Sequence, residues 1–389
     1  MGLCYIVAIA CVGVFYLDTL LPWRMTPVLT AIALGALAAR VVLSIRDRPE
    51  PIGSPRNLSI GLLLAALGGF LMSTVTVAVV RGYTINEWGV FALQFAVPAM
   101  LIFAPRQDDL IKAVLQVCLV VALVDAAANF LAVAGLFELP EMSARVDEFG
   151  RRQRYPGLAG NTHAAGLVAF FAACYVASLA RVRVTPYLVL AGLVLLASLF
   201  LIDARRYLVL TVLAVPLIYH PWSRKVPLLP LAVSIAGFLL LRTFTADYAD
   251  LGNKLRAMLL EDGWHRAMQN PILGEGVVYR AAGDLIATYM NLSMAGVTES
   301  QALDLAIAYG VLPTALFLLA CAIAIAGNRD RVHPPVVILT LMTAELFFGG
   351  ALTGPLGAIV FFACLTVCQK DARLVQVSAK TCLKPVTPA

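Results

Sequence analysis

From Leu58 to Val80 the chain carries no charged side chain. A run this long cannot leave its peptide groups to water and also hide its side chains. In a bilayer it closes its own backbone hydrogen bonds as a helix of about 20 residues. Comparable runs recur along the chain at approximate bounds 2–20, 26–45, 88–104, 111–135, 162–180, 186–202, 206–220, 226–242, 299–326, 335–350 and 355–369. They absorb most of the 61% hydrophobic share of the 389 residues, and only 13% of residues are charged. Ordinary soluble domains carry about 25% charged residues. A soluble globular enzyme, a disordered chain and a disulfide-stapled secreted domain are all excluded by this composition. The expectation is an all-α polytopic membrane protein of about 12 transmembrane helices, with residues 1–389 as one integral membrane domain.

The cysteines add no site. Cys4, Cys11, Cys118, Cys174, Cys321, Cys364 and Cys368 fall inside apolar runs, and Cys382 lies in the tail. No two are spaced as a CxxC pair, and none has a histidine at ligand spacing. They read as small, lipid-compatible core residues. The first apolar run lacks a basic leader and a cleavage site, so it reads as a retained helix. No repeat of fixed period is visible.

Loop charge sets an orientation. With the N-terminus inside, the cytoplasmic segments and adjoining helix ends hold Arg40, Arg46, Arg48, Arg56, Arg106, Lys112, Arg181, Arg183, Arg224, Lys225, Arg329, Arg331 and the tail residues Lys370, Arg373, Lys380 and Lys384. Three short loops on the opposite side hold only Arg24, only Arg81, and none. This is the positive-inside asymmetry, and it predicts cytoplasmic termini. Three groups of arginines break it. Arg145, Arg151, Arg152 and Arg154 lie in a 136–161 outer loop, Arg205 and Arg206 in a tight outer turn, and Lys254, Arg256, Arg266 and Arg280 in a 243–298 outer loop. Long loops translocate regardless of charge, which accounts for the last group but poorly for a tight turn. An anionic ligand at the outer face accounts for all three.

Within the long loop, Asn253–Asn270 has the pattern of an amphipathic helix, with Leu255, Met258, Leu259 and Ala267 among Lys254, Arg256, Glu261, Asp262 and Arg266. Such a helix lies along headgroups or caps the bundle. Pro271 stops it, and Gly274 and Gly276 form a turn. The Gly-Glu-Gly element is no phosphate loop, because no strand precedes it and no Lys-Ser/Thr follows. The next apolar run opens at Thr298-Glu299-Ser300. Thr298 or Ser300 can cap that helix, and a carboxylate in its first turn favours the dipole. Asp304 falls on the same face, a turn deeper, where a carboxylate is by default a functional candidate. Asp125 and Glu345 are also inside spans and read as bundle-facing candidates for pairing, with no role assigned. His163 and His265 are candidates for ordinary structural or solvated histidines.

These residues, in this order, resemble the superfamily of O-antigen ligases and Wzy-type polymerases, bacterial membrane glycosyltransferases with about twelve spans and a long periplasmic loop. Arg256, Pro271, Gly274 and Gly276 match the family's Arg, Pro, Gly-x-Gly pattern, with Leu260 in place of the family's aromatic residue. Arg154-Tyr155-Pro156-Gly157 followed by Asn161-Thr162-His163 resembles the segment after the third outer loop. Asp203-Ala204-Arg205-Arg206-Tyr207 resembles the Ser/Arg turn before the next span, and either arginine fits. Glu299-Ser300 with Gly310 resembles the family's His-Asn pair and following glycine. A carboxylate at 299, where ligases carry His, is more similar to the polymerase branch. The resemblance covers roughly residues 150–325.

The resemblance implies a multi-pass enzyme of the bacterial inner membrane that polymerises polyprenyl-diphosphate-linked (undecaprenyl-type) oligosaccharide repeats at the periplasmic face, yielding O-antigen, capsule or exopolysaccharide. Its donor and acceptor would be lipid-linked glycans. Membrane lipids and chain-length regulator or export proteins would be further partners, with no nucleic acid and no cofactor. The diphosphate leaving group needs cationic stabilisation. A metal ion held by carboxylates can supply it, but Asp247 and Asp250 read as a solvated loop. Guanidinium groups do the same work bidentately. The catalytic set is therefore expected to be Arg256 with Arg205 or Arg206 as the clamp and Glu299 as base for the acceptor hydroxyl. Arg154, Arg280, Asp304 and His163 are expected to contact substrate, and Asp304 is the rival base. Base and leaving group on opposite faces imply inversion at the donor carbon. The alternatives are a ligase transferring glycan to lipid A core and, from another class, a transporter of lipid-linked glycan or solute. A secondary transporter would have short outer loops and two similar halves, and a flippase would carry cations in mid-membrane cavities.

Overall fold

The computed structural model describes residues 2–21, 25–47, 58–82, 95–103, 107–139, 155–219, 228, 231–233, 235–236, 251–276, 300–327, 334–350, 352 and 354–371. Among these residues the fold is all-helical, with no strand. The helices are α1 (Gly2–Leu20), α2 (Thr26–Asp47), α3 (Leu58–Arg81), α4 (Gln107–Val133), α5 (Thr162–Val182), α6 (Pro186–Ile202), α7 (Arg205–Tyr219), α8 (Leu251–Gln269), α9 (Gln301–Tyr309), α10 (Val311–Gly327), α11 (Pro334–Glu345) and α12 (Gly354–Asp371). Three of them are long and apolar enough to cross a membrane, over Leu58–Val80, Gln107–Val133 and Thr162–Val182, and six more are shorter apolar helices.

Burial is distributed as a bilayer-facing bundle requires. α11 and α12 are buried along nearly their whole length, and α5 is buried over most of its own. The outer helices turn apolar side chains away from the protein. Leu64, Leu71, Met72, Val75, Val79 and Val80 on α3, and Tyr187, Leu190, Leu193 and Phe200 on α6, are all exposed. An apolar surface this continuous has no stable contact with water. It has one with lipid, which matches the membrane association expected from composition. The core between α3, α10 and α12 is aromatic: Phe70, Phe95, Tyr309, Phe317 and Phe362 are fully or nearly fully buried, with ring centroids of 4.7 Å for Phe70–Tyr309 and 4.9 Å for Phe70–Phe95. The seven cysteines within the described residues are buried and free, as expected of packing residues.

Helix starts follow local chemistry. The Asn161 side chain accepts the N–H groups of His163 (2.8 Å) and Ala164 (3.3 Å) at the start of α5. Thr185 accepts the Leu188 N–H ahead of Pro186, and Ser300 accepts the Leu303 N–H at the start of α9. A Ser, Thr or Asn in this position satisfies a donor that the helix itself cannot. Of the two capping candidates before α9, Ser300 caps it, and Thr298 lies outside the described residues.

Three expected spans differ. The 299–326 run is not one helix. It breaks at Gly310, whose φ of +99° no helix tolerates, into α9 and α10. The 335–350 run ends at Glu345, because Leu346–Gly350 leave the helix and turn carbonyls toward α9. The described part of 88–104 is a short helical turn at Val97–Ala99 followed by a tighter turn at Met100–Phe103, with Pro98 removing a donor from the ladder. Most of the 226–242 run lies outside the described residues.

Candidate functional site

The two adjacent arginines of the 203–206 turn have opposite fates. Asp203 ends α6 in the left-handed conformation, at φ 55°, and the chain re-enters a helix at Arg205. Arg205 points outward, 73% exposed, and pairs with Asp203 at 3.0 Å. Arg206 turns inward. Its Nη2 meets the His163 ring Nδ1 at 3.0 Å. Its Nη1 donates to the Phe348 carbonyl at 3.3 Å and lies 3.6 Å from the Glu345 carboxylate. Glu345 is 1% exposed and Arg206 is 39% exposed. The ion pair is therefore buried at one end, and the guanidinium reaches from it toward the surface.

His163 and Tyr207 complete the cluster. The Tyr207 hydroxyl is 3.0 Å from His163 Nδ1, and the two rings meet edge to face at 5.3 Å. The Arg206 guanidinium sits over the Tyr207 ring at 5.9 Å from its centroid. Arginine only donates, so His163 Nδ1 must be an acceptor in its contact with Arg206 and the imidazole carries its proton on Nε2. A neutral imidazole beside a cation needs no counter-charge of its own. Gly349 is required for this packing, since a Cβ there would strike both the Glu345 carboxylate and Arg206 Nη1.

The start of α9 abuts the same turn. Gln301 N–H donates to the Gly349 carbonyl at 3.0 Å and Ala302 N–H to the Leu346 carbonyl at 2.7 Å, while the Gln301 side chain accepts the Leu352 N–H at 2.8 Å. With the Leu303 N–H taken by Ser300, the first three amide donors of α9 are all engaged. The positive end of this helix is thus closed to an anion.

The expected site residues sort as follows. Arg206 and His163 come together, and the start of α9 at Gln301 and Ala302 bonds to the 346–349 turn beside them. Arg205 stands apart from the cluster. Asp304 is half-buried in the first turn of α9. Arg154, Arg280 and Glu299 lie outside the described residues, as does the side chain of Arg256, although its backbone belongs to α8. The helix expected at 253–270 is present as α8, with Ala267 buried and Trp264 and His265 exposed. Among the described residues no three His, Cys, Asp or Glu side chains converge. The sequence singled out Glu345 as a bundle-facing carboxylate and carried Tyr207 in the 203–207 motif, but assigned neither a place in the site. The signal for Glu345 was present, a lone carboxylate deep in an apolar run, but its partner lies 139 positions away in the sequence.

Asp125 forms a second buried polar point on α4. Its carboxylate accepts the Leu158 N–H at 2.6 Å, tying down the 157–159 turn that leads into Asn161 and His163. The bundle-facing reading of Asp125 and Glu345 thus acquires content: each holds one segment of the site. No protein family matches the chain by sequence profile, and no curated protein matches it.

Proposed function

We propose that the protein is a multi-pass inner-membrane glycosyltransferase of about twelve spans that polymerises polyprenyl-diphosphate-linked oligosaccharides at the periplasmic face, with both termini cytoplasmic. The observation that carries the reading is Arg206: a guanidinium fixed at its inner edge by Glu345, His163 and the Phe348 carbonyl, and open to the surface beyond. A planar, permanently charged fork held in one orientation suits a diphosphate better than a mobile surface cation does. Donors already positioned before the leaving group departs cost no reorganisation in the transition state.

In this mechanism Arg206 binds and neutralises the diphosphate of the donor. Arg256, on α8, supplies the second cation, and Arg154 and Arg280 extend the contact. Tyr207 and His163 hold Arg206 in plane. Glu299, one residue before the α9 cap, takes the proton of the attacking hydroxyl. The glycosidic bond forms as the carbon–oxygen bond to the diphosphate breaks, and the electron pair leaves with the diphosphate, with inversion at the donor carbon.

The test is surface-polysaccharide chain length in a deletion strain complemented with Arg206→Ala or Arg205→Ala, each checked for accumulation in the membrane. The expected result is no polymer with Arg206→Ala and near-normal chains with Arg205→Ala. Normal chains with Arg206→Ala would remove the proposal. Unchanged chains that no longer attach to lipid A core would indicate a ligase instead.

A further inference from the structure

The Pro271–Gly276 segment and the break between α9 and α10 are two halves of one joint. The Glu275 N–H donates to the Ile307 carbonyl at 2.7 Å and the Gly276 N–H to the Ala308 carbonyl at 2.9 Å, while the Leu312 N–H returns a bond to the Pro271 carbonyl at 2.9 Å. The Asn270 carbonyl closes the turn by accepting from Gly274 at 2.8 Å. Ser73, reaching across from α3, donates to the Leu273 carbonyl and lies 3.2 Å from the Ala308 carbonyl. A helix broken inside an apolar bundle would leave carbonyls and amides unpaired, at a cost of several kcal/mol each in lipid. The joint pairs them.

The joint admits no side chain at either glycine. Gly274 has φ +67°, and a Cβ there would strike the Ala308 carbonyl. Gly310 has φ +99°, and a Cβ there would strike the Ile272 carbonyl. An ion pair locks α8 to the turn: Arg266 meets the Glu275 carboxylate through Nη2 at 2.8 Å and Nε at 3.3 Å, both residues being largely shielded from solvent. Ala267, on the same helix, packs on Ala306 and Ile307. Arg256 lies ten residues up α8 from Arg266, about 15 Å along the axis at 1.5 Å per residue.

We infer that this joint is a register clamp, with Gly274, Gly310, Arg266 and Glu275 as positioning residues that fix α8, and through it Arg256, against the α9–α10 break. The Gly-Glu-Gly element binds the protein's own backbone rather than a phosphate. The consequence for activity rests on the function proposed above, whereas the clamp itself can be read without activity.

The experiment places spin labels at Glu261 on α8 and Leu312 on α10, both exposed, in the full chain in lipid nanodiscs, with Cys382→Ser as background. The distance distribution is measured for the parent, Arg266→Glu, Glu275→Arg, the double exchange, and Gly274→Ala. A single narrow distance is expected in the parent, a broad or shifted one in each single variant, and a narrow one again in the double exchange. Distributions that stay narrow at the parent's distance in both charge reversals, or a double exchange that does not return to the parent's distance and width, would overturn the clamp. Gly274→Ala should likewise lose the parent's narrow distance, and a folded Gly274→Ala that keeps it would also overturn the clamp. In a polymerisation assay with lipid-linked donor, each single variant should lose about 10²-fold in turnover, the effect of misplacing a catalytic group by about 1 Å, with recovery in the double exchange. A clamp seen by the labels with no polymerisation by the parent would sink the proposed function and leave the clamp standing.

Discussion

Removing Arg206 should cost far more stability than removing the charge it pairs with. The Nη1 to carboxylate distance is 3.6 Å, with Glu345 1% exposed and Arg206 39% exposed. At an effective dielectric of about 20 the bare attraction is about 5 kcal/mol, and water at the exposed end of the guanidinium screens part of it. Arg206→Ala leaves a buried carboxylate with no cation, a change that costs about 3–5 kcal/mol in buried pairs. Glu345→Gln leaves a guanidinium that solvent can reach and that still donates to Phe348 and contacts His163, so its cost should be about 1 kcal/mol. The double variant exchanges the orphaned carboxylate for a neutral amide and should recover about 2 kcal/mol relative to Arg206→Ala, since a neutral buried polar group costs less than an ion. The assay is reversible denaturation of the purified protein in mixed micelles, analysed as a double-mutant cycle. Arg206→Ala no more damaging than Glu345→Gln, or strictly additive effects, would refute the buried-pair reasoning.

Glu299→Gln separates a base from a cap. A cap contributes about 0.5–2 kcal/mol of stability, and Ser300 already fills that position, so the variant should insert normally. Loss of a general base lowers the rate roughly 10²–10⁴-fold; polymerisation within a few-fold of wild type would make Asp304 the next candidate. For topology, Asp250→Cys should react with an impermeant maleimide in cells whose outer membrane has been made permeable, while a cysteine in the tail should not. The reverse pattern would invert the orientation and remove the proposed function.

Particular residues show how far the sequence reached. Thr162 and Pro186–Ile202 were legible as helix bounds because Asn161, Thr185 and Pro186 act on their own neighbours. The helix from Leu251 to Gln269 was legible because its charges recur among apolar residues and Pro271 ends it. Gly310 was not legible as a break. It sits in a strongly apolar run, and its φ of +99° goes with the close approach of the Pro271 and Ile272 backbone from a distant loop. The choice between Arg205 and Arg206 was likewise open in the sequence.

The sequence by itself determined that this chain is helical and suited to lipid. Both properties follow from composition over about 20 consecutive residues, because a helix in hydrocarbon satisfies its backbone locally. Only the tertiary structure decided which arginine can serve a site. Successive residues on a helix point about 100° apart, so Arg205 and Arg206 cannot face the same surroundings. Which direction leads to a buried carboxylate depends on Glu345, brought beside α7 by the packing of α11, whereas Arg205 meets only its neighbour Asp203 at the surface. That is a long-range fact, which no local pattern encodes.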